Sequence, residues 1–263
     1  MKIVVIGGSG RIGQKLVDLL RGDGHIVISA SPSFGINTVT REGLDAALRQ
    51  AQVVVDVSDA PSRGGDAAVR FFEISGRNLL AASRLAGVKH HIVLSVVGTD
   101  RLLASPYFCA KKIQERLLRE SGIPFTILRS TQFFEIVSAI AQEGSGGDVI
   151  VPLTTIQPVS ASDLAHALAD LAVEEPLNRT VEVAGPERFR LDYLATEVLT
   201  AYEDPRRIIA DPSALYFGAR LSEDTLLPGD GVIIGSQRFE DWLRRSLSSD
   251  VADNPRRKTR GAG

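Results

Sequence analysis

Apolar residues in this chain fall into two kinds of pattern. Short unbroken runs occur at residues 2–6 (KIVVI), 25–30 (HIVISA), 53–57 (VVVDV), 88–96 (VKHHIVLSV) and 124–128 (PFTIL). Runs this short, rich in Val and Ile, predict parallel strands buried on both faces. Between them lie stretches with an apolar period near 3.6. These are residues 11–21, closed by Gly22-Asp23-Gly24, residues 42–50, residues 64–85, closed by Gly87, and the stretch from Tyr107, closed by Gly122. Glycine just past the last periodic residue is a helix stop. Strand alternating with helix predicts an α/β fold, a Rossmann-type doubly wound parallel sheet. Residues 36–40 are expected to add a short strand.

The second half is less regular. Short strands are expected at 148–153, 156–159, 180–184 and 208–210, with helices at 164–173, opened by Ser162-Asp163, and at 191–201. Phe239, Trp242 and Leu243 anchor a closing helix. Residues 144–147 (GSGG) form a joint, and the polar tail from Ser248 is expected to be disordered. The expected division is a Rossmann core over 1–150, a small C-terminal substrate-binding region over 151–247 that partly packs back on the core, and a tail over 248–263.

Composition removes several classes. A net charge of −2 gives nucleic acid and anionic membranes no bulk attraction, so neither is an expected partner. Cys109 stands alone, which excludes an internal disulfide and a cysteine metal site, and no metal is expected. Met1-Lys2 runs straight into the first strand and no apolar run approaches 18 residues, so a soluble cytoplasmic protein is expected. Monomer and homo-oligomer both stay open.

Candidate chemistry begins at the first turn. Gly7, Gly10 and Gly13 punctuate GGSGRIG between strand and helix. The first glycine permits a tight turn, the second lets backbone approach a pyrophosphate, and the third lets helix and strand pack closely. Arg11 and Ile12 lie inside this turn, where free N–H groups favour an anion. Where an acid at the tip of the second strand would bind the ribose of NAD, the chain has Ser31-Pro32-Ser33. That favours NADP, with NAD possible. Arg11 is either a partner for the 2′-phosphate or a solvated helix-start residue. The usual NADP-type arginine after the second strand is missing. Ser58 opens the loop at the carboxyl end of the third strand, the ligand side of such sheets. Asp56 either touches the cofactor or caps backbone. His90 and His91 lie at the opposite end of their strand and read as structural.

Tyr107 and Lys111 are four apart, hence on one helix face. A phenol with a pKa of about 10 is a poor acid–base catalyst at neutral pH, and a nearby ammonium lowers that pKa. Lys111 can do this while holding the nicotinamide ribose. Ser95, at the end of the preceding strand, can hydrogen-bond a substrate oxygen, and Tyr107 can pass it a proton. Y-x-x-x-K also arises by chance as a solvated pair; its place behind a Ser-bearing strand and a nucleotide turn gives it weight. Lys112 points about 100° away round the helix, to solvent. Cys109 reads as packing, and His166 as a surface or packing residue. Phe133 and Phe134 can wall the nicotinamide or an apolar substrate, or face the core, with one of them assigned to the pocket. Tyr216, Phe217, Leu226 and Leu227 are available to line a substrate cleft.

GGSGRIG, LSVVGTD, YFCAKKIQERLLRESGIPFTILRSTQFFE and SASDLAHAL together resemble the short-chain dehydrogenase/reductase superfamily, in its atypical, NmrA-like NAD(P)-binding branch. The resemblance covers roughly residues 1–200. It implies a cofactor across the strand ends, with Gly7, Gly10, Arg11 and Gly13 at its phosphates. It also implies that Ser95, Tyr107 and Lys111 are the superfamily's catalytic serine, tyrosine and lysine. Many NmrA-like members lack the tyrosine and some only sense the cofactor, so Tyr107 points to a working reductase. Ser130 stands where the family commonly has proline. The expectation is an NADPH-preferring oxidoreductase acting on a small carbonyl, quinone or similar substrate. The alternatives are a cofactor-sensing regulator that binds a protein partner, and an epimerase or dehydratase with tightly held NAD, which the acid-free second-strand tip opposes.

Overall fold

The computed structural model describes residues 1–62, 65–142 and 147–253. In chain order its elements are β1 (Lys2–Ile6), α1 (Arg11–Gly22), β2 (Ile26–Ala30), α2 (Leu44–Leu48), β3 (Val53–Asp56), α3 (Gly65–Ala86), β4 (His90–Val96), α4 (Pro106–Glu120), β5 (Phe125–Ser130) and α5 (Phe134–Gln142). There follow β6 (Val149–Pro152), β7 (Thr155–Ile156), α6 (Ala161–Val173), β8 (Arg179–Ala184), β9 (Phe189–Arg190), α7 (Leu191–Ala201), β10 (Ile208–Asp211), β11 (Ile233–Ile234) and α8 (Phe239–Asp253).

The apolar runs become neighbours in one seven-stranded sheet of order β11-β8-β5-β4-β3-β1-β2. Its pairings are parallel. Within β1 the side chains divide by parity. Ile3 and Val5 join a core with Leu16 and Leu20 of α1 and Leu164 and Leu168 of α6, while Val4 and Ile6 join one with Leu44, Leu79 and Leu118 on the other face. A strand alternates faces at every residue, so an unbroken apolar run is what a sheet covered on both sides requires. Each such side chain contributes roughly 1.5–3 kcal/mol by burial. The strand order reverses beside β1, with β2 on one side and β3 on the other. Register aligns Ile6 with Ala30 and Asp56, and Ser95 with Arg129. The carboxyl ends therefore share one edge, with a crevice at the switch point.

Sequence from beyond residue 150 enters this same sheet as β8 and β11, and α6 covers one face of it. The rest of that region forms the small pairs β6–β10 and β7–β9 around a core that includes Phe108, Phe134, Leu194 and Phe239. Among the described residues no helix is long and apolar enough to cross a membrane.

Several elements differ from expectation. Residues 36–40 form turns, not a strand, because the Asn37 side chain accepts the Val39 and Thr40 N–H groups at 2.8 and 3.3 Å. Asn offers backbone an alternative to a ladder. The helix expected at 42–50 shrinks to α2, bounded by left-handed Gly43 (φ +65°) and Gln50 (φ +60°). Helix α6 is capped two residues before the expected position: Ser160, not Ser162, accepts the Asp163 N–H at 2.9 Å. The strand expected at 156–159 is the two-residue β7. Most of the 144–147 joint and residues 254–263 of the tail lie outside the described residues; Ser248 itself is inside α8.

Candidate functional site

A cleft of about 660 Å³ runs along the carboxyl edge of the sheet. Gly7, Gly10, Arg11, Ile12, Gly13, Ser31 and Ser58 all line it. The glycines serve different needs. Gly7 adopts φ +79°, and a Cβ there would stand 2.9 Å from the Ser58 backbone. A Cβ on Gly13 would run into the Gly7 carbonyl oxygen and Gly8. Gly10 is less confined: its Cβ would meet Gly7 O at 3.2 Å and nothing else within 4 Å. Gly10 also caps α1 with extended backbone and without a side-chain hydrogen bond. The first N–H groups of α1 thus lack an intrahelical acceptor. An uncapped helix start lined by glycine suits a pyrophosphate, so these residues fit a dinucleotide.

Arg11 and Glu135, at the start of α5, approach to 3.9 Å. This draws the guanidinium toward the β5 side of the cleft, away from Ser31 at the tip of β2. Ser31 is buried, and its hydroxyl meets that of Ser33 at 2.8 Å. Asp56 resolves to capping: its carboxylate accepts the Ser58 N–H at 3.0 Å, the Ser58 hydroxyl at 2.6 Å and the Gln114 amide at 2.8 Å.

Ser95, Tyr107 and Lys111 line the same cleft. Lys111 is 3% exposed. Its Nζ donates to Leu94 O at 2.7 Å and Gln114 Oε1 at 2.5 Å, and sits 4.5 Å from the Phe72 ring centre. Burial pushes its pKa down, while the Asp59, Asp56 and Glu115 carboxylates oppose that. Tyr107 is buried with its ring 5.6 Å from that of Phe217. Phe217 takes φ +47° in a tight turn closed by Tyr216 and Ala219, with Gly218 at φ +84°.

Ser95 is fully buried and donates its hydroxyl to Glu115 Oε1 at 2.7 Å. Glu115, equally buried, receives Arg129 Nε and Nη2 at 2.7 Å each, a two-pronged pair, and Arg129 reaches on to Asp100 at 2.6 Å. Burial raises the Glu115 pKa, but hydrogen bonds from Arg129 and Ser95 outweigh it and hold the carboxyl below its usual range. Sequence reasoning gave Glu115 and Arg129 no chemical role. Their signal was a charged residue inside an apolar strand, 129 within FTILRS, which must find a countercharge.

Phe133 lines the cleft and Phe134 does not. Phe134 packs against Phe239 and Trp242 at 5.3 and 5.5 Å between ring centres, so it belongs to the core and not to a substrate wall. Tyr216 and Phe217 line the cleft; Leu226 is core and Leu227 is outside the lining. Lys112 pairs with Asp100 and is not free in solvent. Gln132 lines the cleft with no hydrogen bond to its side-chain amide among the described residues. Among the described residues no cluster of His, Cys, Asp and Glu could hold a metal.

Residues 35–175, more than half of the chain, match a family model described as NAD(P)H-binding. The chain is similar to the photosystem II assembly factor Ycf39 of Synechocystis sp., 26% identical over 51% of this chain and 46% of that protein. It is also similar to (4-alkanoyl-5-oxo-2,5-dihydrofuran-3-yl)methyl phosphate reductase of Streptomyces griseus, 26% identical over 70% of this chain and 68% of that protein. The chain thus spans about half the length of the first and two thirds of the second. Among solved structures it resembles a short-chain dehydrogenase/reductase superfamily protein from Agrobacterium tumefaciens with bound NAD, at 16% identity and TM-score 0.74, covering 99% of this chain and 100% of that one. It also resembles dTDP-4-dehydrorhamnose reductase from Bacillus anthracis in complex with NADP, at 14% identity and TM-score 0.67, covering 94% and 98%. At these identities the likeness is one of fold.

Proposed function

The chain belongs to the NAD(P)H-binding family, in its NmrA-like, atypical short-chain dehydrogenase/reductase branch, and on that premise we propose that it is an oxidoreductase reducing a small carbonyl or quinone compound. The observation that carries this reading is the meeting of Tyr107, Lys111 and Ser95 in the cleft that also holds the glycine turn. When bound, the nicotinamide cofactor supplies the hydride. Tyr107 supplies the proton through its phenol oxygen. Lys111, pinned between Leu94 O and Gln114, places a positive charge on the Tyr107 face of α4 and favours the phenolate that follows proton release. Ser95, whose hydroxyl hydrogen points to Glu115, offers lone pairs and so accepts a hydrogen bond from the Tyr107 hydroxyl or a product alcohol. Phe133, Tyr216 and Phe217 wall the site against water.

NADPH is the preferred form in this reading, because the tip of β2 carries no carboxylate to repel a 2′-phosphate. The substrate is a small molecule. The protein acts as a soluble cytoplasmic enzyme.

One observation favours a second reading, a cofactor sensor without turnover. Both the Ser95 proton and the Lys111 ammonium are already bonded to protein groups. The test is Tyr107→Phe assayed with NADPH against a panel of quinones and aldehydes. Loss of turnover by about 10²–10⁴-fold with unchanged NADPH binding supports the reductase. Unchanged turnover in the variant removes Tyr107 from the mechanism. Tight NADPH binding without turnover of any panel member by the wild-type protein favours the sensor.

A further inference from the structure

Three buried polar atoms at the cleft have no hydrogen-bond partner among the described residues: Gln132 Oε1, Gln132 Nε2 and Glu135 Oε2. Both residues line the cleft, and Gln132 is 3% exposed. Leaving a buried amide unpaired is costly, so a folded protein keeps such atoms where something else completes them. Gln132 lies two residues beyond Ser130, which is in register with Val96, the neighbour of Ser95. Its backbone carbonyl accepts the Val159 N–H at 2.9 Å, which fixes the chain there. The amide therefore stands at the Ser95 end of the cleft, not the Ser31 end. Glu135 approaches Arg11 through Oε1, leaving Oε2 as the unpartnered oxygen.

The three atoms define a complement. Gln132 Oε1 and Glu135 Oε2 each accept, and Gln132 Nε2 donates. The matching group offers two donors and one acceptor. A primary carboxamide carries that set: two N–H bonds and one carbonyl oxygen. Quinones and aldehydes carry no donor and would leave both acceptors unpaired. The nicotinamide ring bears a primary carboxamide. We propose that Gln132, assisted by Glu135, is a cofactor-binding residue that holds the nicotinamide carboxamide. The proposal rests on the reading of the cleft as a dinucleotide site.

The test compares three ligands by calorimetric titration: NADP, its 3-acetylpyridine analogue, in which a methyl replaces the carboxamide NH₂, and 2′-phospho-ADP-ribose, which lacks the ring. The wild-type protein should bind NADP at least about tenfold more tightly than the analogue. Gln132→Leu should lose about tenfold on NADP, lose the preference for NADP over the analogue, and bind 2′-phospho-ADP-ribose as the wild type does. NADP binding by Gln132→Leu equal to wild type overturns the proposal, leaving the cofactor reading intact. If Gln132→Leu fails to bind 2′-phospho-ADP-ribose, the isosteric Gln132→Glu decides. It keeps an acceptor for the NH₂, so weakened NADP binding with the ring-less ligand unaffected supports the proposal, and equal binding overturns it. If the wild-type protein binds NAD but none of the three, the same comparison is made with NAD, its 3-acetylpyridine analogue and ADP-ribose; binding of neither NADP nor NAD sinks the cofactor reading, and the proposal with it.

Discussion

Ser95 donates a hydrogen bond from its hydroxyl to Glu115, 2.7 Å away, and Glu115 in turn holds Arg129 by both oxygens. A serine that sequence spacing presents as a donor to substrate is thereby an acceptor in the cleft. The same carboxylate is a structural keystone. Glu115→Gln leaves the Arg129 charge buried with Asp100 as its remaining acid partner. The expected loss is about 3 kcal/mol in urea unfolding. Adding Arg129→Met should restore part of it, since the buried charge that has lost its two-pronged partner disappears. The folded-state pKa of Glu115 lies below its ordinary value, so its contribution is present above the unfolded pKa of about 4.3 and is lost as pH falls further.

His90 and His91 give a second pH dependence, at higher pH. Burial lowers both pKa values to about 4. Against an unfolded value of about 6.5, the unfolded chain binds more protons between these limits. Stability should therefore fall as pH drops from about 6.5 toward 4, by up to about 2 kcal/mol per histidine at pH 5. Urea midpoints at pH 7 and pH 5 measure the difference. The double variant His90→Gln/His91→Gln should show a flatter dependence whatever its absolute stability.

The glycine turn separates folding from binding. Gly13→Ala puts a methyl against Gly7 backbone that cannot move aside, so it should lower stability by roughly 1–3 kcal/mol and also weaken dinucleotide binding. Gly10→Ala meets one oxygen at 3.2 Å and should fold with nearly wild-type stability, while its methyl at the anion site weakens NADPH. Thermal melts alongside NADPH titrations distinguish the two. Equal destabilisation would refute the separation.

Arg11→Ala should weaken NADPH and NADH by similar factors, because the guanidinium is drawn to Glu135 and away from Ser31. Paired fluorescence titrations check this. A loss confined to NADPH would return Arg11 to the 2′-phosphate.

The strands of the central sheet could be read from sequence because a strand covered on both faces must be continuously apolar. Residues 36–40 misled for a local reason, since Asn37 satisfies backbone that a ladder would otherwise pair. Strand β11 escaped notice because its two exposed isoleucines sit at a sheet edge and carry no periodic pattern. Gly7, Gly10 and Gly13 declare themselves by spacing, and Tyr107 with Lys111 by helical phase. Glu115 and Arg129 do not, since a salt bridge between α4 and β5 depends on tertiary pairing. Phe133 and Phe134 are chemically alike, and the start of α5 decides which one faces the cleft. Gln132 looks like any polar loop residue until its burial and missing partners are seen.

The entry of β8 into the sheet has a consequence for biosynthesis. Strand β5 has β4 on one side and β8 on the other, and α6 covers a face shared with α1. Until residue 184 has left the ribosome, β5 carries an open hydrogen-bonding edge, and until residue 173 has, α1 lacks the α6 side chains in its core. A fragment stopped at residue 150 would hold the whole glycine turn and the Tyr107 helix, yet would expose that edge as a template for other chains. The cofactor half is thus expected to need residues 161–184 before its sheet edge and the inner face of α1 are covered.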